Sequence, residues 1–341
     1  MFVWGNAPSK KQSRKLARLF FISKEENIMD SNFVVAVSAV VPLFCLMFIG
    51  VMVKRLRLLT EEELKHVNRM VFKVFFFCMM FYNLYTTDIA DTFRPGLIAF
   101  GSLGVLAVFG LATAITCALE KENKKRGAII QAVFRSNFVL IGIPLVANIF
   151  GDAAVAVPTM MIAIIVPIYN ILAVFCLETF RGGKFALLPI LREVLKNPMI
   201  MGAILGAACL ILGVYVPEPV LKPIRQVAAA TTPVALIVLG ASFKMGSSHD
   251  HMPQLITTIL ARLVIVPGIM LSLAIYLGFR DIDLITLLAV FATPCAVASF
   301  AMAQQMGSDA DLAGNCVVYT SALSCFTIFG WVLLLKTLGM F

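Results

Sequence analysis

Apolar windows of about twenty residues recur ten times along this 341-residue chain. A bilayer core about 30 Å thick requires helices of that length, and the absence of water there obliges each segment to satisfy its own backbone hydrogen bonds. The first five windows are Phe33 to Val53, Met70 to Tyr85 with a polar helical lead-in, Leu97 to Leu119, Ile129 to Ile149, and Ala153 to Leu177. The second five are Pro198 to Val216, Val227 to Phe243, Leu255 to Phe279, Leu284 to Met306, and Leu312 to Leu335. Composition agrees: 60% of residues are hydrophobic, only 14% are charged, and the mean hydropathy is +0.93. A soluble domain carries about a quarter of its residues as charged ones. The fold class is therefore an all-α polytopic membrane protein, with the lipid bilayer as its solvent. The formal charge of +9 sits in short loops, with no basic stripe interleaved with aromatics, which argues against a nucleic-acid partner.

The longest polar connection, Glu178 to Asn197, divides the windows five and five. An odd number of spans per half forces the halves into opposite orientations, so two inverted five-helix repeats are expected. The division is residues 1–32 as an N-terminal extension, 33–178 as the first repeat, 179–197 as a cytoplasmic linker and 198–341 as the second repeat. Loops after the odd-numbered spans hold fourteen Lys or Arg, and loops after the even-numbered spans hold four: Arg94, Lys222, Arg225 and Arg280. By the positive-inside rule the odd loops are cytoplasmic and both termini lie outside the cytoplasm, in a multi-pass protein of the cell membrane. The stretch SKKQSRKLARLFFISKEEN before the first span runs against that bias. Translation starting at Met29 would remove it.

The fourth span of each half carries a helix breaker, Gly142 with Pro144 in one and Pro294 in the other. Matched interruptions of this kind point to the binding site of a secondary transporter. Gly142 would free the backbone and Pro144 would begin a new half-helix, while Thr293 would cap a second one with Pro294 at its first position. Each half-helix N-terminus offers unpaired N–H groups and partial positive charge, which suit a carboxylate. Asn137 adds an amide within the same broken span. Asn170 and Asn315, in the fifth span of each half, are candidates to line the cavity or to bond a neighbouring helix. Arg135, Arg262 and Lys73 are candidate charge partners, with snorkelling to the membrane face as the alternative for Arg135 and Lys73.

No Asp or Glu lies at the centre of a span. That leaves no carboxylate proton relay, and coupling to a proton or to sodium stays open. No cofactor or metal is implied: the eight cysteines lie in or beside apolar segments, form no CxxC pair and have no histidine within three residues. They read as small buried hydrophobes. An intramembrane enzyme would need a nucleophile or metal-ligating set that is missing, with His66, His249 and His251 all expected in loops. A passive channel or a membrane receptor for the same ligand remains as the alternative.

Four stretches together resemble the auxin efflux carrier family of membrane permeases: FRSNFVLIGIPL (134–145), LKNPMIMGAILG (195–206), TTPVALIVLGASF (231–243) and ATPCAVASFAMAQQMGSDADLA (292–313). The resemblance implies crossing interrupted helices 4 and 9 around an organic-anion site, with malate or malonate as model substrates. Two broken helices at one depth suit alternating access about that crossing better than a passive pore. The large hydrophilic central loop of the long plant members is absent, which aligns the chain with compact microbial permeases. A homodimer is compatible with this reading.

Overall fold

The computed structural model describes residues 41–86, 93–181, 187–243 and 252–341. The proposed extension, the alternative start at Met29 and the first residues of the first window lie outside them. Among the described residues the secondary structure is helical, and the strand-like pairing recorded is one isolated antiparallel bridge, between Ser136 and Cys295. In chain order the helices are α1 (residues 41–55), α2 (Glu61–Tyr85), α3 (Pro95–Leu119), α4 (Asn123–Phe134), α5 (Phe138–Phe150) and α6 (Ala156–Phe180). They continue as α7 (Leu187–Lys196), α8 (Pro198–Ile211), α9 (Glu218–Ser242), α10 (Met252–Tyr276), α11 (Asp281–Ala292), α12 (Ala298–Gln305) and α13 (Ala310–Thr337). Six of these, α2, α3, α6, α9, α10 and α13, are long and apolar enough to cross a membrane. α5 and α8 are shorter apolar helices.

Local chemistry accounts for several boundaries. Thr60 and Glu63 form a reciprocal capping box at the start of α2, which satisfies two amide donors that a helix start leaves unpaired. His66, expected in a loop, therefore lies within that helix. Asn197 caps α8 through the Met199 N–H with Pro198 at the first position, and Asp309 caps α13 through the Leu312 N–H. α9 begins at Glu218, nine residues before the apolar window expected at Val227, with Pro217 as its extended N-cap and both Pro223 and Pro233 accommodated inside the helix. The expected linker carries the amphipathic helix α7.

Glycines set two close helix pairs. A side chain at Gly240 of α9 would collide with the Met47 backbone of α1, and one at Gly50 would collide with the Ile237 backbone of α9. Side chains at Gly202 and Gly206 of α8 would likewise collide with the backbones of Phe77 and Phe81 in α2. Small residues permit such approach where lipid provides no hydrophobic drive for helix association. α1, α2, α8 and α9 thus form one tight group, while α3 to α6 and α10 to α13 pack chiefly on one another. Gly240→Leu is expected to destabilise the protein by about 2 kcal/mol or more, since backbone cannot yield to the added carbons. Thermal unfolding of the purified variant checks this, and an unchanged midpoint would refute the close-packing account.

The structure moves both helix breaks from their expected positions. In the fourth span the interruption lies at residues 135–137, between α4 and α5, and Pro144 sits inside α5. Gly142 does not free the backbone there. A side chain at Gly142 would meet the Phe138 ring and the Ala289 methyl of α11, so this glycine serves packing. In the other broken span Thr293 is the C-cap of α11, with its hydroxyl donating to the Ala289 carbonyl at 2.8 Å, and α12 begins only at Ala298. Pro294 lies in the extended segment between them. The chain opens where partners for its freed groups exist, and proline alone does not decide that place.

Candidate functional site

The two interruptions satisfy each other. The Asn137 N–H donates to the Pro294 carbonyl at 2.8 Å, and the Ala296 N–H donates to the Arg135 carbonyl at 3.2 Å. Carbonyls left open at the ends of α4 and α11 converge on one guanidinium, that of Arg262, which lies fully buried in a π-helical segment of α10. Its Nε donates to the Thr293 carbonyl at 2.7 Å, Nη1 to those of Val133 and Phe134 at 3.0 and 3.4 Å, and Nη2 to that of Val290 at 3.2 Å. Helix C-termini carry partial negative charge. A single cation therefore braces both breaks from the side on which α4 and α11 end.

On the other side, a cavity of about 90 Å³ opens where α5 and α12 begin. Ser136, Asn137 and Val139 line it from the first break, Ala296 and Ala298 from the second, and α2, α6 and α9 close it through Met80, Asn170 and Thr232 among others. The volume admits a few waters or a small organic molecule. Arg135 is the charged residue in this lining, and no Asp or Glu accompanies it there. The guanidinium, 4% exposed, donates to Asn170 Oδ1 at 2.5 Å and reaches Met302 Sδ at 2.7 Å. Asn170 in turn directs its Nδ2 at Met80 Sδ, 2.8 Å away. Thioether sulfurs are weak acceptors, so the positive charge is only lightly compensated. Asn137 is 8% exposed, and its buried Nδ2 has no hydrogen-bond partner.

Of the candidate residues, Arg135, Asn137 and Asn170 meet in this cavity. Arg262, Thr293 and Pro294 build the frame behind it, and Gly142 and Pro144 lie along α5 outside the lining. Asn315 lines a separate narrow cleft with Ser242, Phe300 and Asp311. Lys73 is exposed on α2 and does not reach the cavity. Ser136 and Tyr169, not among the expected site residues, join through their hydroxyls, Ser136 donating to Tyr169 at 3.0 Å and Tyr169 onward to the Val290 carbonyl at 3.2 Å. Each is adjacent to a polar residue already singled out, which was the available signal. Met80 and Met302 had none, because a thioether opposite a guanidinium is a product of tertiary arrangement.

Comparison with known proteins gives one family and two relatives. A family model described as membrane transport protein matches residues 35–189 and 184–332. An uncharacterized transporter of Methanocaldococcus jannaschii is 23% identical over 302 residues, spanning 85% of this chain and 96% of that protein. A Rhizobium meliloti protein named "Putative malonate transporter" is 24% identical over 307 residues, spanning 87% of this chain and 95% of that protein.

Proposed function

The chain belongs to the membrane transport protein family, the auxin efflux carrier family whose motifs its sequence carries, and from that premise we propose that it is a secondary transporter of small organic anions. The substrates are mono- or dicarboxylates of the size of malonate or malate. The observation that carries this reading is a buried guanidinium and an unpartnered amide donor, Arg135 and Asn137 Nδ2, facing one cavity whose lining contains no carboxylate. A buried cation without an opposing charge is unfavourable until an anion joins it. The starts of α5 and α12 at the same cavity add N–H groups and partial positive charge. The name of the Rhizobium meliloti relative supports the same substrate class.

In this reading the molecule has ten spans in two inverted repeats, with α4–α5 and α11–α12 as the interrupted fourth and ninth. Both termini lie outside the cytoplasm. The glycine-bound group of α1, α2, α8 and α9 and the group holding the breaks move relative to each other, exposing the cavity to either side in turn. Uptake of labelled malonate and malate into proteoliposomes, with imposed pH or sodium gradients, tests it. Saturable uptake driven by a gradient is expected. Non-saturating, gradient-independent flux would replace the carrier by a channel, binding without flux would leave a receptor, and neither binding nor flux would remove the substrate class.

A further inference from the structure

Lys73, which the cavity does not use, stands where a lysine is costly. α2 leaves its polar lead-in at Met70 and is apolar beyond it, so Lys73 lies about 5 Å inside the hydrocarbon. The π-helical segment Val71–Phe75 turns Val71 and Phe72 inward and leaves Lys73 and Val74 exposed. Met70 and Val74, beside it, are about half exposed, so lipid surrounds the lysine stem. The amine reaches the headgroups by extending back towards the polar end of the helix. One turn in that direction stands Arg69, also exposed, and residues 69–77 contain no carboxylate. Among the described residues neither cation has a salt bridge.

A second cationic surface comes to the same depth. Gly202 of α8 lies against the backbone of Phe77 and Gly206 against that of Phe81, so α2 and α8 run side by side in the same direction. One turn earlier, that register sets Pro198 level with Lys73. α7 ends at Lys196, two residues before Pro198. It packs on α6 and α8 with Val194 buried. Leu191 and Leu195 point outward, 51% and 53% exposed, beside the exposed Arg192 and Lys196. Two leucines and two cations, each pair four residues apart, make the pattern of a helix lying in the membrane interface, its apolar side in the acyl chains and its cations among the headgroups. Lys196 pairs with Glu193 at 3.3 Å, whereas Arg192 has no salt bridge among the described residues.

We propose that Arg69, Lys73 and Arg192 bind the headgroup of an anionic phospholipid, with its acyl chains against Leu191 and Leu195. A phosphate supplies the negative charge that no protein carboxylate brings to these cations, and a lipid, unlike a free anion, brings it to the depth of Lys73. The full-length protein in detergent, titrated with phosphatidylglycerol and separately with phosphatidylcholine of the same chains, tests this through unfolding midpoints and native mass spectrometry of retained lipid. Phosphatidylglycerol is expected to raise the midpoint and to be retained about tenfold or more in preference to phosphatidylcholine. Lys73→Met and Arg192→Gln are each expected to weaken phosphatidylglycerol binding about fivefold, the effect of one charge near the membrane surface. Their lipid-free midpoints and phosphatidylcholine binding should match wild type. Lys222→Gln removes the same charge near the start of α9, on the other membrane face, and should bind phosphatidylglycerol like wild type. Equal binding of the two lipids by wild type, or wild-type phosphatidylglycerol binding by Lys73→Met and Arg192→Gln, would overturn the site. An equal loss in Lys222→Gln would reduce the effect to net charge and overturn it as well. So would inorganic phosphate that raises the midpoint as far as the lipid does. The site is independent of the transport function, which malonate uptake tests separately.

Discussion

Arg262→Met is expected to yield little folded protein, and what remains should melt roughly 5 °C or more below wild type, the consequence of losing about 4 kcal/mol. Four carbonyls, those of Val133, Phe134, Val290 and Thr293, lose their donor at once. They lie at the ends of two half-helices inside an apolar bundle, where water is scarce and an unbonded carbonyl is costly. The charge matters as well as the geometry, since both helix ends carry partial negative charge that methionine leaves unopposed. Arg262→Lys is expected to fall between the two, because an ammonium keeps the charge but lacks the planar fork that spans both breaks. Thermal unfolding and size-exclusion profiles of the three proteins check this. A wild-type midpoint in Arg262→Met would show that the carbonyls find other partners and that the arginine is free for another role.

The second large effect is expected at Asn137, this time on transport with the fold retained. Its backbone N–H holds the bridge to Pro294, and that bond survives any side-chain change. Its Nδ2 has no partner in the protein, so replacing the side chain breaks no internal bond from that atom. Asn137→Ala is expected to lower malonate uptake about tenfold, the value of one donor to a charged acceptor. Asn137→Asp is expected to lower it about a hundredfold or more. The new carboxylate would oppose the anion and pair with the Arg135 guanidinium, cancelling the charge that the cavity presents. Uptake assays in proteoliposomes, with unfolding midpoints as the control for folding, give the comparison. Aspartate and alanine variants that transport like wild type would separate Asn137 from the substrate.

Periodicity and composition made the helical membrane fold legible. An apolar run such as Leu97 to Leu119 has no other stable form in a bilayer, and the helix observed at Pro95–Leu119 lies within two residues of it. The presence of two interrupted apolar runs was legible too, from polar and proline residues within them. Their location was not. Pro144 and Gly142 drew attention by residue type, yet proline is tolerated inside a membrane helix when neighbours relieve the lost bond, and Gly142 answers to Phe138 and Ala289. Thr293 has the composition of an N-cap, but its hydroxyl serves the helix behind it. Arg262 stood out as an arginine deep in an apolar run without disclosing that its partners are carbonyls from two other helices.

Hydropathy and residue type thus established that the chain is helical and membrane-embedded, that polar and helix-breaking residues fall within the apolar span 129–149, and which family it resembles. These are local properties, set by hydropathy over one helix length and by side-chain chemistry. Only the tertiary structure decided where the backbone opens, since a break is stable only where a second break and one arginine supply the missing donors and acceptors. It also decided that Arg135, Asn137 and Asn170 share a cavity while Asn315 and Lys73 do not, because such neighbours come from distant parts of the chain and are brought together by packing.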